Sequence, residues 1–119
     1  MPKYDNQNIF AKILRKDIRC EKIDSDNHNF SFDDIDKQAP VHSLTIPKNE
    51  YKNLTEFAKK ATNEEIATFI KSIVRVAEKK EISKTGYRVI INCGPNSHQE
   101  VAHLHAHILG GKPLGPIIK

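Results

Sequence analysis

Apolar side chains recur along the chain with two periods, and these divide it into helices and strands. Ile9, Phe10, Ile13 and Leu14 share one face of a helix, with Asn6 and Asn8 ahead of them as candidate caps. The longest helical run is Ile66, Phe69, Ile70, Ile73, Val74 and Ala77, a single apolar stripe at 3.6-residue spacing. It opens on Thr62-Asn63-Glu64-Glu65, where Glu65 stands three residues after the Thr62 hydroxyl, the spacing of a capping box. It closes on Lys79 and Lys80, cations at the negative end of the helix dipole. Such a stripe predicts a helix that packs on a sheet.

The strand signals have period two. Phe30-Ser31-Phe32 alternates apolar and polar residues, and Val41 to Ile46 is rich in β-formers up to Pro47, which has no N–H for a ladder. After the Thr85-Gly86 turn, Tyr87 to Asn92 is a further run of β-formers, and Gly94-Pro95-Asn96-Ser97 is turn chemistry. Val101 to Leu109 reads as one strand stopped by Gly110-Gly111. Strands outnumber helices and most connections are short. The predicted fold is α+β: a mostly antiparallel sheet, a short N-terminal helix and one long packing helix, in a single domain over residues 1–119.

Composition narrows the partners. The chain has 119 residues, with 19 Lys+Arg against 15 Asp+Glu and a formal charge of +4. Lys59-Lys60 and Lys79-Lys80 lie on helical patterns, and no long basic run is interleaved with aromatics. Nucleic acid is therefore not the expected partner, whereas a small anionic ligand is compatible with the charge. No apolar stretch approaches the roughly 20 residues needed to span a bilayer, and the opening MPKYDNQN lacks the apolar core of a signal peptide. No membrane association and a cytoplasmic location are expected. Cys20 and Cys93 form no CxxC and read as reduced thiols, which argues against a structural zinc site built on cysteines.

Candidate chemistry sits in the histidines. Three of the six occupy five positions, in His103-Leu104-His105-Ala106-His107. On a strand, the three imidazoles share one face at about 7 Å spacing while Leu104, Ala106 and Ile108 share the other. Polar filler on a solvent face, a metal site and acid–base or nucleophilic catalysis are all open readings. A metal site needs further ligands, and no H-E-x-x-H or CxxC supplies them. A neutral imidazole is a good nucleophile toward phosphorus, and crowded rings resist double protonation, so one can attack while another donates.

The HxHxH segment running into Leu109-Gly110-Gly111 resembles the histidine triad (HIT) family, and more closely its Hint-like purine nucleoside phosphoramidases. Asn8-Ile9-Phe10-Ala11-Lys12-Ile13 and Arg15-Lys16-Asp17-Ile18 are similar to the opening helix of that branch. Phe32-Asp33-Asp34-Ile35 with Gln38-Ala39-Pro40-Val41-His42 resembles its second block, and Gly86-Tyr87-Arg88 with Asn92 its third. Pro113-Leu114-Gly115-Pro116 behind the triad is similar to bacterial members.

The resemblance implies a nucleotide-binding hydrolase that cleaves P–N bonds of purine nucleoside 5′-phosphoramidates through a nucleotidyl-histidine. It implies His105 as nucleophile, with Nδ1–H donated to the backbone carbonyl of His103, and His107 bonded to the phosphoryl oxygens. His103 and His42 would complete the network. Asp34 would hold the ribose hydroxyls, Ile9, Phe10, Ile13, Phe32 and Ile35 would line the purine pocket, and Asn92 and Gln99 would lie near phosphate and ribose. Ser97-His98 stands where many relatives carry two glycines, so an altered phosphate loop is expected. No cofactor and no metal is implied, and Ala11 lacks the thiol of zinc-containing relatives. A homodimer is implied, with part of the Ile66–Ala77 stripe or its flanks facing the second copy. The alternatives are a Fhit-like dinucleoside polyphosphate hydrolase and a non-catalytic nucleotide-binding regulatory protein.

Overall fold

The computed structural model describes residues 3–118. Five strands form one antiparallel sheet: β1 (Lys22–Ser25), β2 (Asn29–Asp33), β3 (Val41–Pro47), β4 (Tyr87–Ile90) and β5 (Ala106–Gly110), in spatial order β1-β2-β3-β5-β4. Three α-helices accompany it: α1 (Ile9–Leu14), α2 (Leu54–Lys60) and α3 (Asn63–Lys79). The α+β class and the mostly antiparallel sheet are as the sequence predicts. Both expected helices are present, and α2 and β1 are additions.

Directly opposed residues share a sheet face, so the register divides the side chains into two sets. Ser31 opposes Thr45, which opposes Ala106, and Ser43 opposes Ile108. That face lies under α3: Phe69, Ile73, Val76 and Ala77 pack with Phe57, Ile82, Leu104, Ala106 and Ile108. The hydroxyls on this side are buried but satisfied, with Ser31 bonded to Thr45 at 2.8 Å and to Ser72 of α3 at 3.4 Å. On the other face Phe32 opposes Leu44, which opposes His107. There α1 packs Phe10 and Ile13 against Phe32, Leu44 and Ile46.

Local chemistry explains where the helices begin. Asn8, not Asn6, caps α1, its side chain accepting from the Ala11 amide at 2.9 Å. The capping box of α3 is complete: Thr62 Oγ1 accepts from the Glu65 amide and Glu65 Oε1 from the Thr62 amide. Glu65 is buried, and Asn49 and the Tyr51 hydroxyl also donate to it. The predicted α3 stripe divides. Phe69, Ile73 and Ala77 are buried, but Ile70 is 55% exposed and Val74 is also exposed.

Two strands are shorter than predicted. The Val101 to Leu109 run enters the sheet only at Ala106. Its neighbour β3 ends on Pro47, which has no N–H to continue the ladder. The Leu104 amide donates instead to Tyr51 O at 2.8 Å, and the Pro47 carbonyl bonds the His103 ring. The Tyr87 to Asn92 run stops at Ile90, the last residue paired with β5. No helix among the described residues is long and apolar enough to cross a membrane.

Candidate functional site

Three of the four candidate catalytic histidines converge on the α1 face of the sheet, and the fourth lies behind them. His107 lies within β5, while His103 and His105 precede the strand, so the triad does not share a single strand face. Sides still alternate through the segment: Leu104 enters the α3 core, whereas His103 and His105 each stack beside Phe10 of α1. The His105 and His107 ring centroids are 5.1 Å apart, closer than the roughly 7 Å of a regular strand.

Each ring has an assignable proton. His105 Nδ1 is 2.8 Å from the His103 carbonyl, an acceptor, so Nδ1 carries the hydrogen and Nε2 presents a lone pair. This is the bond the resemblance implies. His42 Nδ1 accepts from the Gln38 amide at 3.0 Å, which places the His42 proton on Nε2. That Nε2–H then donates to His107 Nδ1 at 2.8 Å and leaves His107 with a proton on Nε2. The outcome is an unprotonated nitrogen on His105 beside a donor nitrogen on His107.

Burial favours the neutral form of His105 and His107. It holds His107 down to about 4, helped by the neighbouring His105 and His42, and it lowers His105 against the opposing pull of the His103 carbonyl bond. His103 is also held at about 4 by burial and is wholly inaccessible. Both its ring nitrogens are engaged outside the other histidines: Nε2 lies 2.8 Å from Pro47 O and Nδ1 2.6 Å from the Tyr4 hydroxyl. No periodicity or motif marks Tyr4 in the sequence.

Asp34 leans toward the histidines, with Oδ2 at 3.4 Å from His42 Nε2, and its Oδ1 accepts from the Asp36 amide. Phe10, Ile13 and Phe32 are buried together, and the Phe10 ring is 4.9 Å from His105. Ile9 is exposed on α1. Ile35 is 96% exposed and packs on nothing, so it does not join the apolar cluster. Asn92 is half-buried. Gln99 is committed to the backbone: its Oε1 accepts from the Gly94 amide and its Nε2 donates to the carbonyls of Lys52 and Val101. It clamps the 94–101 loop. In that loop His98 takes φ +63°, a conformation that favours glycine, and its exposed ring pairs with Glu100 at 3.0 Å. A cavity of about 770 Å³ is lined by Leu14, Ile18, Phe30 and Lys48, and of the residues named here it shares only Ile13.

Asp34, His42 and His107 are the one group of donor side chains close enough together to hold a metal among the described residues. Two nitrogens on one tetrahedral zinc stand about 3.3 Å apart, given Zn–N distances of about 2.0–2.1 Å. His42 Nε2 and His107 Nδ1 are 2.8 Å apart and share a proton, so as arranged they form a hydrogen bond and not a ligand pair. Cys20 and Cys93 are free thiols.

A HIT-domain family model matches residues 15–114. The chain belongs to the HIT family. It is 44% identical over 115 residues to a HIT-like protein of Azospirillum brasilense, covering 97% of this chain and 94% of that one. It is 36% identical over 113 residues to the purine nucleoside phosphoramidase of Escherichia coli K12, covering 94% and 93% of the two chains. Among solved structures, a HIT family hydrolase from Legionella pneumophila superposes with a TM-score of 0.83 at 31% identity, over 90% of this HIT chain and 95% of the other.

Proposed function

We propose that this HIT protein is a nucleotide-binding hydrolase that cleaves the P–N bond of purine nucleoside 5′-phosphoramidates. The observation that carries this reading is the proton assignment: the bond from His105 Nδ1–H to the His103 carbonyl leaves His105 Nε2 unprotonated, while His107, whose ring centroid is 5.1 Å away, keeps its proton on Nε2. Nε2 of His105 attacks the α-phosphorus while His107 donates to a phosphoryl oxygen. The P–N bond breaks as the departing nitrogen takes the proton of His107 Nε2. Water then cleaves the P–Nε2 bond, one of its protons returning to His107 Nε2, which releases the nucleoside monophosphate and restores both His105 and His107. Covalent catalysis of this kind divides one difficult substitution into two easier ones.

Support for the branch comes from the Escherichia coli relative, whose name states that activity. In this reading His42 and His103 hold the network, Asp34 accepts from the ribose hydroxyls, and Phe10, Ile13 and Phe32, with Ile9 at the rim, form an apolar wall for the base. Ile35 contributes only if the 34–37 turn folds over the bound base. In this reading Asn92, which is half-buried, and Gln99, through the loop it clamps, would border the phosphate. No step requires a metal. The substrate is a small nucleotide, and a cytoplasmic setting with neither nucleic acid nor membrane as partner fits this reading.

We infer also that two copies pair. Ile70 and Val74 on α3, and Val89 and Ile90 on the edge strand β4, are exposed apolar residues that a second copy would cover.

The test is hydrolysis of adenosine 5′-phosphoramidate with and without EDTA. The expected result is turnover that EDTA leaves unchanged. Cleavage of a diadenosine polyphosphate alone would move the protein to the Fhit-like branch, and no turnover of either substrate would favour a non-catalytic binding protein.

A further inference from the structure

Tyr4 and His103 are 99 residues apart in sequence and meet through a 2.6 Å hydrogen bond that the proposed reaction does not use directly. The direction of that bond follows from its surroundings. His103 Nε2 lies 2.8 Å from the Pro47 carbonyl, which can only accept, so the one ring proton is on Nε2. Nδ1 is therefore bare, and the Tyr4 hydroxyl donates to it. Burial raises the Tyr4 pKa, so the hydroxyl keeps its proton at neutral pH, and the same burial keeps the His103 ring neutral. The two rings pack edge to face, with centroids 5.6 Å apart at 66°.

His103 matters through its main chain as well as its ring. Its carbonyl accepts Nδ1–H of His105, the bond that leaves Nε2 of His105 free. The next residue is held by the bond from the Leu104 amide to Tyr51 O. With the ring fixed at both nitrogens and the main chain fixed beyond it, the carbonyl has one orientation. We propose that Tyr4 is a positioning residue: by donating to His103 Nδ1 it locks the His103 ring and carbonyl, and through them aims Nε2 of His105. This rests on the reading of His105 as the nucleophile. Without the hydroxyl, Nδ1 becomes a buried acceptor with no partner. The ring can relieve this only by moving its proton to Nδ1 or by rotating, and either change gives up the Pro47 bond.

Tyr4→Phe removes one oxygen and keeps the edge-to-face packing, whereas Tyr4→Ala removes both. Two readouts are needed: kcat and KM on adenosine 5′-phosphoramidate, and the ¹⁵N signals of the His103 and His105 rings in ligand-free protein. The expected result is a fall in kcat of about tenfold for Tyr4→Phe, with KM within about twofold and no further loss in Tyr4→Ala. The His103 ring nitrogens and the His105 Nδ1–H signal should shift in both variants. Wild-type kcat in Tyr4→Phe beside a slow Tyr4→Ala would overturn the proposal, because ring packing alone would then account for the effect. Unmoved His105 signals in Tyr4→Phe would overturn it as well, even if Tyr4→Ala fails to fold. Should the wild-type protein turn over no nucleotide, the reading of the site fails separately, and the ring signals alone decide whether Tyr4 acts on His105.

Discussion

His42 donates its Nε2–H to Nδ1 of His107 across 2.8 Å, and the bond can run in only one direction because the Gln38 amide occupies His42 Nδ1. A backbone amide four residues before His42 thus determines which nitrogen of His107 carries a proton 65 residues further on. His107 is a donor at Nε2 as a consequence of the fold.

Substitution of His42 should therefore act through His107. In His42→Ala, Nδ1 of His107 loses its donor and the ring is free to take the other tautomer. The expected effect is a fall in kcat of about 10- to 100-fold with a smaller change in KM, read from steady-state kinetics. A change confined to KM would mean that His42 only binds substrate.

Acid should affect activity and stability differently from what ordinary histidines would do. Burial lowers His105 and holds His107 at about 4, so the acid limb of kcat/KM for the free enzyme should lie below 6.5, the value for an ordinary histidine. For stability, His103 has a folded pKa of about 4 against about 6.5 unfolded, so between those values the unfolded chain binds more protons. The neutral ring's contribution is complete above about pH 6.5 and is lost as pH falls toward 4, at up to about 1.4 kcal/mol per pH unit. Thermal melts from pH 7.5 to 4 should show Tm falling across that window, less steeply in a folded His103 variant.

Gln99 should behave as a clamp on its loop. Its side-chain oxygen accepts from the Gly94 amide, while its NH2 group bridges Lys52 O and Val101 O. Gln99→Ala should speed hydrogen exchange at the Gly94 amide by about tenfold or more, the loss of roughly 1–2 kcal/mol of local protection. KM should rise more than kcat falls. Unchanged exchange at Gly94 would place the loop's rigidity elsewhere.

The exposed apolar residues give a test of assembly. The wild-type chain of 13.5 kDa should elute with twice that mass by light scattering, and Ile70→Glu should shift it toward the monomer. A wild-type monomer at micromolar concentration would contradict pairing through this face.

Legibility in the sequence followed how local the determinants are. The α3 capping box and stripe are set within one helix, and Thr62, Glu65, Phe69 and Ile73 do what their spacing predicts. By contrast α2 buries only Phe57 and carries no stripe to read. β1 buries only Asp24, which is held by Arg75 and Lys79 of α3, so its one buried position is matched to a distant helix and no apolar alternation marks the strand. His103 to His107 reads as strand because alternation survives where the ladder does not, and the stop comes from Pro47 on another strand. The histidines as a group were visible through their clustering and family likeness. Their proton assignments were not, because these depend on the Gln38 amide, the His103 carbonyl and the Tyr4 hydroxyl, contacts made only by folding.

In the proposed reaction Nε2 of His105 forms a covalent bond to the phosphorus. Rapid quenching of the protein with adenosine 5′-phosphoramidate, followed by peptide mass analysis under conditions that preserve phosphohistidine, tests it most directly. A nucleoside monophosphate increment on the peptide bearing His105, present within one turnover and absent in His105→Ala together with activity, is the predicted result. Full activity in His105→Ala, or turnover with no adduct in a quench shown to preserve one, would contradict it.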